Sequence, residues 1–228
     1  MLHKTRGIVL SHTKYRETSL IVRMLTEHFG VQSYLIQRVR TTKPRYGIAL
    51  FQPLTLLDMV VYHRKQGGLQ RVSEVRCCQP MTGILGNLQK ATIAVFLAEL
   101  LAKAIREEES NAPFFQFLWQ SIGHFNEQQQ NYTLFHLAFM LRLCHYLGFG
   151  IKDAQEIAAQ LRRAGQHKGL SAQNTQLLNA LLRGQPLAGL ATDRATIRTL
   201  LSTLVRFYQL HIEALDTLQS LRVLQELG

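Results

Sequence analysis

The feature that most constrains this chain is a change in the spacing of its apolar residues near residue 79. Before that point, short alternating or β-branched runs, separated by turn formers, predict β-strands. After it, apolar residues recur every three or four positions, which is typical of helices. The predicted strands are Arg6 to Leu10, Leu20 to Thr26, Val31 to Val39, Leu54 to Tyr62 and Leu69 to Cys77.

Five strands within about 75 residues predict a small closed or partly open barrel, of which the OB-fold is the commonest kind. The fold class is therefore α+β, with a five-stranded OB-fold barrel over residues 1–79 and an all-helical domain over residues 80–228. We expect a single helical turn at Tyr46 to Phe51 and the connection between the two parts near Gln79 to Asn87.

The helical part contains one segment, Ala91 to Ile105, that is apolar on nearly every side. It is expected to lie at the centre of the C-terminal core. Pro113 begins the next helix, and Gly148 ends the one after that. A final pattern, capped by Thr192 or Asp193 and continuing to Leu221, predicts one long helix or two helices in line.

Positive charge is concentrated before residue 81. Residues 1–80 hold 13 Lys and Arg against 4 acids, so they carry +9 of the formal net charge of +11. Such a cluster attracts polyanions, because each neutralised phosphate releases counterions. Nucleic acid is the favoured partner; a solvated basic surface or attraction to anionic lipid remains the alternative.

No catalytic motif is evident, so the sequence predicts no enzyme activity, no cofactor and no metal site. It contains neither a phosphate loop nor an HExxH motif, and its three cysteines are interpreted as simple thiols. The acidic run Glu107 to Glu109 could ligate magnesium in a nuclease, but a solvated helix end is favoured. The absence of a signal peptide or a membrane span in the sequence predicts a soluble cytosolic protein.

OB barrels bind nucleic acid in a groove where cations follow the backbone and aromatic rings stack on bases. Most of the barrel's candidate cations fall in predicted loops, with Tyr34 and Tyr46 on either side of the densest group. The predicted DNA-binding residues are Lys14, Arg16, Arg38, Arg40, Lys43, Arg45, Arg64 and Lys65.

Several segments, in this order and spacing, resemble the RecO family of bacterial recombination mediators, and the resemblance covers nearly the whole chain. They are Gly7-Ile8-Val9-Leu10, Tyr15-Arg16-Glu17-Thr18-Ser19, Leu25-Thr26-Glu27-His28-Phe29-Gly30, Gln52-Pro53, Leu147-Gly148-Phe149, and Tyr208 and His211 with Ser220-Leu221.

This resemblance implies a nucleoid-associated protein that binds single- and double-stranded DNA, anneals complementary strands and needs no ATP. The implied partners are RecR and the acidic C-terminal tail of single-stranded-DNA-binding protein, and the implied outcome is loading of RecA on coated DNA. It also implies a basic residue on the helical domain that meets the terminal carboxylate of the tail. We assign that role to Arg142.

Two departures from the family pattern are visible. Many members carry four zinc-binding cysteines after the LG(Y/F) helix, whereas residues 151–190 contain no cysteine. Arg38 also stands where the family usually has glycine. An RNA-binding or ribosome-associated OB protein without a recombination role remains the alternative, because the fold does not choose between nucleic acids.

Overall fold

A computed structural model describes residues 1–39, 41, 46–64, 68–106, 109–166, 169–187, 189–190 and 192–227. The chain divides into two compact units, Met1–Gln128 and Gln129–Gly228. Strands give way to helices after Cys77, and the first three helices belong to the same unit as the strands. The domain division at residue 79 stays a prediction from the sequence.

The first unit contains a closed five-stranded barrel, which confirms the predicted OB-type architecture. The strand order around it is β1-β2-β3-β5-β4, with β3 parallel to β5 and every other pair antiparallel. The parallel contact that closes the barrel is short and pairs Tyr34 with Gln70 and Leu35 with Arg71. The strands are β1 (Leu2–Tyr15), β2 (Ser19–Thr26), β3 (Gly30–Ile36), β4 (Leu56–Tyr62) and β5 (Gln70–Cys77).

The first strand is much longer than the sequence predicts. It pairs with β4 through its first half and with β2 through its second, and its register shifts between Val9 and Ser11. Ile8, Val9 and Leu10 are all buried, so both faces of the strand are covered here and the alternation that would reveal its length is lost. A bulge of this kind bends a strand and lets it take part in both sides of a small barrel.

The barrel interior is filled by alternating residues from all five strands and closed by the predicted helical turn. That turn is a 3₁₀ helix at Ile48–Phe51, and Phe51 is fully buried within the barrel core. The carbonyl oxygen of Phe51 lies 2.9 Å from Nδ1 of His12. The core also includes Val9, Val22, Met24, Tyr34, Leu57 and Val61.

Three helices follow the barrel in the first unit: α1 (Thr82–Leu85), α2 (Leu88–Ala104) and α3 (Ala112–Glu127). The prediction that α2 forms the centre of the C-terminal core is wrong, because α2 packs on β1 of the barrel. Ile8, Leu10 and Leu25 are buried but lie outside the barrel core, so the outer face of β1 and β2 needs an apolar cover. Burial of α2 is also incomplete, since Val95 is 60% exposed.

Polar side chains fix these helices to the barrel and to one another. Arg23 on β2 donates to the carbonyl oxygens of Ala102 and Ile105, both at 2.5 Å, and so satisfies the end of α2. At the end of α3, the buried Lys90 ammonium donates to the carbonyl oxygens of Asn126 and Gln128 at 3.0 and 2.8 Å. The segment predicted as a connection is fixed to the same helix end, because the amide of Gly83 donates to Oδ1 of Asn126 at 3.1 Å and Nδ2 of Asn126 donates to the carbonyl oxygen of Pro80 at 3.0 Å.

The regular elements described in the second unit are all helices. Asp193 caps α7 as predicted, accepting from the amide of Thr196. The expectation of one long helix or two in line is wrong, because Arg194 at the start of α7 donates to the carbonyl of Glu226 near the end of α8. Thus α8 folds back along α7. The helices are α4 (Phe135–Tyr146), α5 (Ala154–Arg163), α6 (Ala172–Arg183), α7 (Arg194–His211) and α8 (Gln219–Leu227).

Candidate nucleic-acid interface

Three of the predicted cations lie at one end of the barrel. Lys14 is near the end of β1, Arg16 is in the turn between β1 and β2, and Arg38 comes two residues after β3. All three side chains are exposed. The guanidinium of Arg16 lies over the ring of Tyr15, with Cζ 5.3 Å from the ring centroid.

Strand register explains why the β1–β2 turn and the segment after β3 meet. Leu20 at the start of β2 pairs with Ile36 at the end of β3. Beyond that pair, the amide of Val39 donates to the carbonyl oxygen of Thr18 at 3.0 Å. The two arginine-bearing segments are thus held against each other by backbone geometry, and they present a shared positive surface.

Both arginines occupy an unusual backbone conformation. The φ angles of Arg16 and Arg38 are 53° and 58°, in the left-handed region that favours glycine. Glycine, the residue that the resemblance leads us to expect at position 38, would adopt this φ without strain. Arg38 instead brings a charge to that backbone position, and strain of this kind is often found at functional sites.

Arg64 is the other predicted cation within the described residues, and it follows β4. Its side chain is exposed while its backbone is anchored. The amide of Arg64 donates to Oε1 of Gln70 at 3.1 Å, and Nε2 of Gln70 donates back to the carbonyl of Arg64 at 3.2 Å. Outside the described residues lie Arg40, Lys43, Arg45 and Lys65.

The barrel's cations divide into those with protein partners and those available to a ligand. Arg6 pairs with Glu27, and Arg76 pairs with Asp58 at 3.0 Å. Within the described part of the chain, no carboxylate lies within 4.0 Å of the four described candidates: Lys14, Arg16, Arg38 and Arg64. A phosphate could bind them without breaking an internal ion pair, which lowers the cost of binding.

Neither tyrosine expected beside the cations provides an open stacking surface. Tyr34 is fully buried in the barrel core, and burial raises the pKa of its hydroxyl well above the usual range. Tyr46 is half-buried and donates to the carbonyl of Ser73 at 3.1 Å. The expectation of flanking aromatic rings is therefore wrong for Tyr34. Side chains of a strand alternate between its two faces, and Tyr34 shares the inward face of β3 with Ile36.

Sequence reasoning missed exposed cations that lie on the strands themselves, among them Lys4 on β1 and Arg71 on β5. Arg71 pairs with Leu35 across the parallel β3–β5 contact. Its neighbour Gln70 is buried, so alternation within the strand could have indicated that Arg71 faces outward. Clustering of charge in loops, the criterion used for the other candidates, does not detect a single cation on a strand.

Arg142 lies on α4 in the second unit and is exposed. Its guanidinium is beside the end of α6, where a Cβ placed on Gly184 would lie 3.7 Å from Nη2 of Arg142. Gly184 ends α6 with a positive φ of 63°, and Arg183 immediately before it is also exposed. The structure therefore places two cations near one helix end.

The residues that follow the LG(Y/F) segment do not fit the zinc site that many family members carry. Residues 151–190 lack cysteine, and among the described residues no group of three or more His, Cys, Asp or Glu could hold a metal ion. Packing stabilises this region instead, since Ile157, Leu161 and Leu177 are fully buried. The amide of Ala154, at the start of α5, also donates to Oδ1 of Asn179 on α6 at 2.8 Å.

Within the described residues, no helix is long and apolar enough to span a bilayer.

The closed barrel places the protein in the OB-fold class, and the described cations of its loops, which have no carboxylate partner among the described residues, are typical of members of that class that bind nucleic acid. Two family models match the chain and cover most of it. Residues 1–81 match "Recombination protein O N terminal" and residues 85–222 match "Recombination protein O C terminal". The chain belongs to the RecO family.

Curated relatives extend over nearly the same length. A protein of Bacteroides fragilis named DNA repair protein RecO is 34% identical over 243 aligned residues, covering 100% of this chain and 99% of the relative. One of Flavobacterium psychrophilum with the same name is 32% identical, covering 98% of each. These matches confirm the family that the sequence motifs indicated.

Proposed function

We propose that this protein acts in DNA repair as a recombination mediator that binds single- and double-stranded DNA and anneals complementary strands. Family membership supports the repair role. The observation that carries the proposal is the joined pair of segments bearing Arg16 and Arg38, whose exposed guanidinium groups have no carboxylate partner among the described residues.

The mechanism is electrostatic and needs no covalent step. Two DNA strands repel each other through their phosphates, and cations placed between them reduce this repulsion. The loops at one end of the barrel supply such cations on a rigid scaffold, so binding one strand leaves positive charge for a second. Annealing then follows from base pairing, and the protein is not an enzyme.

We further propose two protein partners, RecR and the acidic tail of single-stranded-DNA-binding protein, with loading of RecA on the coated strand as the outcome. The tail is acidic and ends in a carboxylate, so it needs a cation that is not already paired. Arg142 is exposed and has no carboxylate within 4.0 Å among the described residues. The proposed location is cytoplasmic, with the nucleoid.

The deciding experiment measures annealing of complementary oligonucleotides coated with their cognate binding protein, without nucleotide. We expect acceleration that requires the acidic tail and that falls steeply as salt rises. No acceleration at any salt concentration would contradict the mediator role. RNA of equal length serves as the competitor that tests the alternative RNA-binding role, and preference for RNA would favour it.

A charge variant locates the site. Replacing Arg38, Arg40, Lys43 and Arg45 by Ala is expected to weaken DNA binding and to reduce the salt dependence by about 0.7–0.9 in log–log slope for each lost phosphate contact. The matched control removes four exposed cations of the second unit, namely Arg162, Arg163, Arg183 and Arg206. Equal loss in both variants would show that only net charge matters.

A further inference from the structure

The turn between α7 and α8 lacks the residues that usually end helices. Helix α7 ends at His211 and α8 begins at Gln219, yet residues 190–227 contain neither glycine nor proline. Apolar residues also keep a helical spacing across the turn, which is why the sequence predicts one long helix or two in line. The structure instead folds α8 back along α7, so the local sequence and the tertiary fold favour different shapes for this segment.

The helical backbone of α7 stops at Ile212. This residue caps the helix in an extended conformation, with φ −136° and ψ 97°. The chain then returns to helical geometry, because Glu213–Leu215 form a 3₁₀ helix and Asp216 has φ −59° and ψ −27°. A change of Ile212 from the extended to the helical region would therefore continue α7 through Asp216 and carry α8 away from it.

Polar contacts to α7 hold α8 in its folded-back position. Arg194 donates to the carbonyl oxygen of Glu226 in the last turn of α8. One turn further along α7, Arg198 donates to the carbonyl oxygen of Gln225. Nε2 of Gln225 donates in return to Oγ of Ser202 at 2.9 Å. These contacts fix the end of α8 on one face of α7.

Apolar contacts add to this hold, although few side chains of α8 take part. Among the described side chains of α8, only Ser220 and Leu224 are buried. Leu215, in the turn, is fully buried, and its carbonyl oxygen accepts from Nε2 of Gln209 at 3.0 Å. A helix of nine residues is not stable alone in water, so α8 needs a seat on α7.

That seat accepts the same segment from any copy of the chain. Each of these contacts joins a residue before Ile212 to a residue after it, so a second copy makes them equally well. A short hinge whose sequence favours a straight helix is the usual setting for domain swapping. We propose that residues 213–227 exchange between two copies, each straightening at Ile212 and placing its α8 on the α7 of the other.

The exchanged dimer has the same contacts as two monomers and differs in its hinges, so it forms at high protein concentration. It carries two barrels and therefore two sets of loop cations in one particle. The inference goes beyond the proposed function and does not rest on it, because its test contains no nucleic acid.

Proline at position 213 distinguishes the folded-back shape from the straight one. Proline fits the first position of a helix and restricts the residue before it to the extended region, which Ile212 already occupies. In a straight helix it removes a backbone hydrogen bond and clashes with the preceding turn. Glu213→Pro should therefore leave the monomer folded and raise the dissociation constant of the dimer about 10⁴-fold, since each dimer has two hinges. Glu213→Ala loses the same charge and should keep the dimer.

The experiment refolds the unchanged protein and both variants from urea at submillimolar concentration and measures molar mass by size exclusion with light scattering. We expect dimers of the unchanged protein and of Glu213→Ala, and only monomers of Glu213→Pro. Monomers in all three samples would overturn the inference, as would a dimer that persists in Glu213→Pro.

A cross-link provides a second readout that does not depend on proline. Ser202→Cys and Gln225→Cys are made in separate chains, in each of which Cys77 and Cys78 are replaced by Ser and the buried Cys144 is kept. Only exchange brings position 225 of one chain to position 202 of the other. A short bismaleimide should therefore link the two variants when they are refolded together, and much less when each is refolded alone. Equal cross-linking in the mixture and in the separate samples would overturn the exchange.

Discussion

Arg6 and Glu27 form a bidentate ion pair, with Nη2 of the arginine 2.6 Å from Oε1 of the glutamate and Nε 2.9 Å from Oε2. The same guanidinium lies 4.8 Å from the ring centroid of Trp119 and donates to Oε1 of Gln116 at 3.2 Å. Because Arg6 belongs to β1, Glu27 follows β2, and Trp119 and Gln116 belong to α3, one side chain links two strands to a helix.

This contact predicts a pH-dependent loss of stability in the first unit. The hydrogen bond from Arg6 is the main cause of the lowered pKa of Glu27, against an ordinary value of 4.5. A carboxyl whose pKa is lowered by folding stabilises the protein above its ordinary pKa, and this stabilisation is lost as pH falls through the lowered value. Glu27→Gln should reduce the free energy of unfolding by about 1–2 kcal/mol at pH 7.

Trp119 is the only tryptophan of the chain and lies beside Arg6, so its fluorescence reports urea unfolding of the region that contains the ion pair. The difference between Glu27→Gln and the unchanged protein should shrink as pH drops below 4.5. Glu17→Gln provides the control, because Glu17 is exposed and forms no ion pair with any described residue. A constant difference across this range would show that the charge of Glu27 is not the cause.

Comparing Arg38→Gly with Arg38→Ala separates the effect of backbone strain from the effect of charge in the segment that follows β3. Glycine accepts the φ of 58° without steric cost, so the variant should gain about 0.5–1 kcal/mol of stability. Arg38→Ala removes the same charge but keeps the strained conformation. Both variants should bind single strands more weakly than the unchanged protein, with a shallower salt dependence.

Thermal unfolding and strand binding, measured on both variants, distinguish the two effects. If Arg38→Gly binds DNA as tightly as the unchanged protein, Arg38 does not contact phosphate. If neither variant differs in stability from the other, the left-handed conformation carries no measurable strain.

The barrel and its loops were predictable from sequence because local patterns specify them. Alternation located β2, β4 and β5 to within two residues at each end. Charge clustering indicated Arg16 and Arg38 as candidates, and the structure brings the two segments that carry them together. The position of α2 was not predictable in this way. Its apolar face fits either a helical core or the outer surface of a barrel, and the choice depends on Ile8 and Leu25, whose burial outside the barrel core is a property of the closed fold.

The contacts among four rings, those of His3, His28, Phe29 and His63, were equally hidden from sequence reasoning. His3, His28 and His63 are far apart along the chain, and only the pairing of β1 with β2 and β4 brings them around Phe29. Isolated histidines give no periodic signal. A pair such as Arg6 and Glu27 is likewise defined by strand register rather than by spacing.

His136 predicts a second pH effect, in the second unit. Its ring is buried in α4, neither ring nitrogen has a hydrogen-bond partner among the described residues, and burial lowers its pKa from 6.5 to about 4. The unfolded chain therefore takes up a proton at a higher pH than the folded one, so stability falls as pH drops from about 6.5 toward 4. Within that range of pH, the free energy of unfolding should change by up to about 1.4 kcal/mol per pH unit.

Amide hydrogen exchange of α4 peptides measures the fall in stability between pH 6.5 and 4. The variant His136→Leu should lose most of this pH dependence, because leucine cannot take up a proton. His145→Leu on the same helix is the control, since His145 is exposed. A pH dependence that persists unchanged in His136→Leu would assign the effect to another group.

Arg142 provides the test of the partner proposal. A peptide ending in an acidic segment and a free carboxylate is expected to bind the unchanged protein and to bind Arg142→Ala about tenfold more weakly, since a hydrogen bond to a charged group contributes about 1.5–3 kcal/mol. Arg206→Ala removes an equally exposed arginine from α7 and should bind the peptide normally. Fluorescence anisotropy of a labelled peptide measures both, and amidation of its C-terminus should weaken binding to the unchanged protein but not to Arg142→Ala. If amidation weakens both proteins equally, the carboxylate is recognised by a residue other than Arg142.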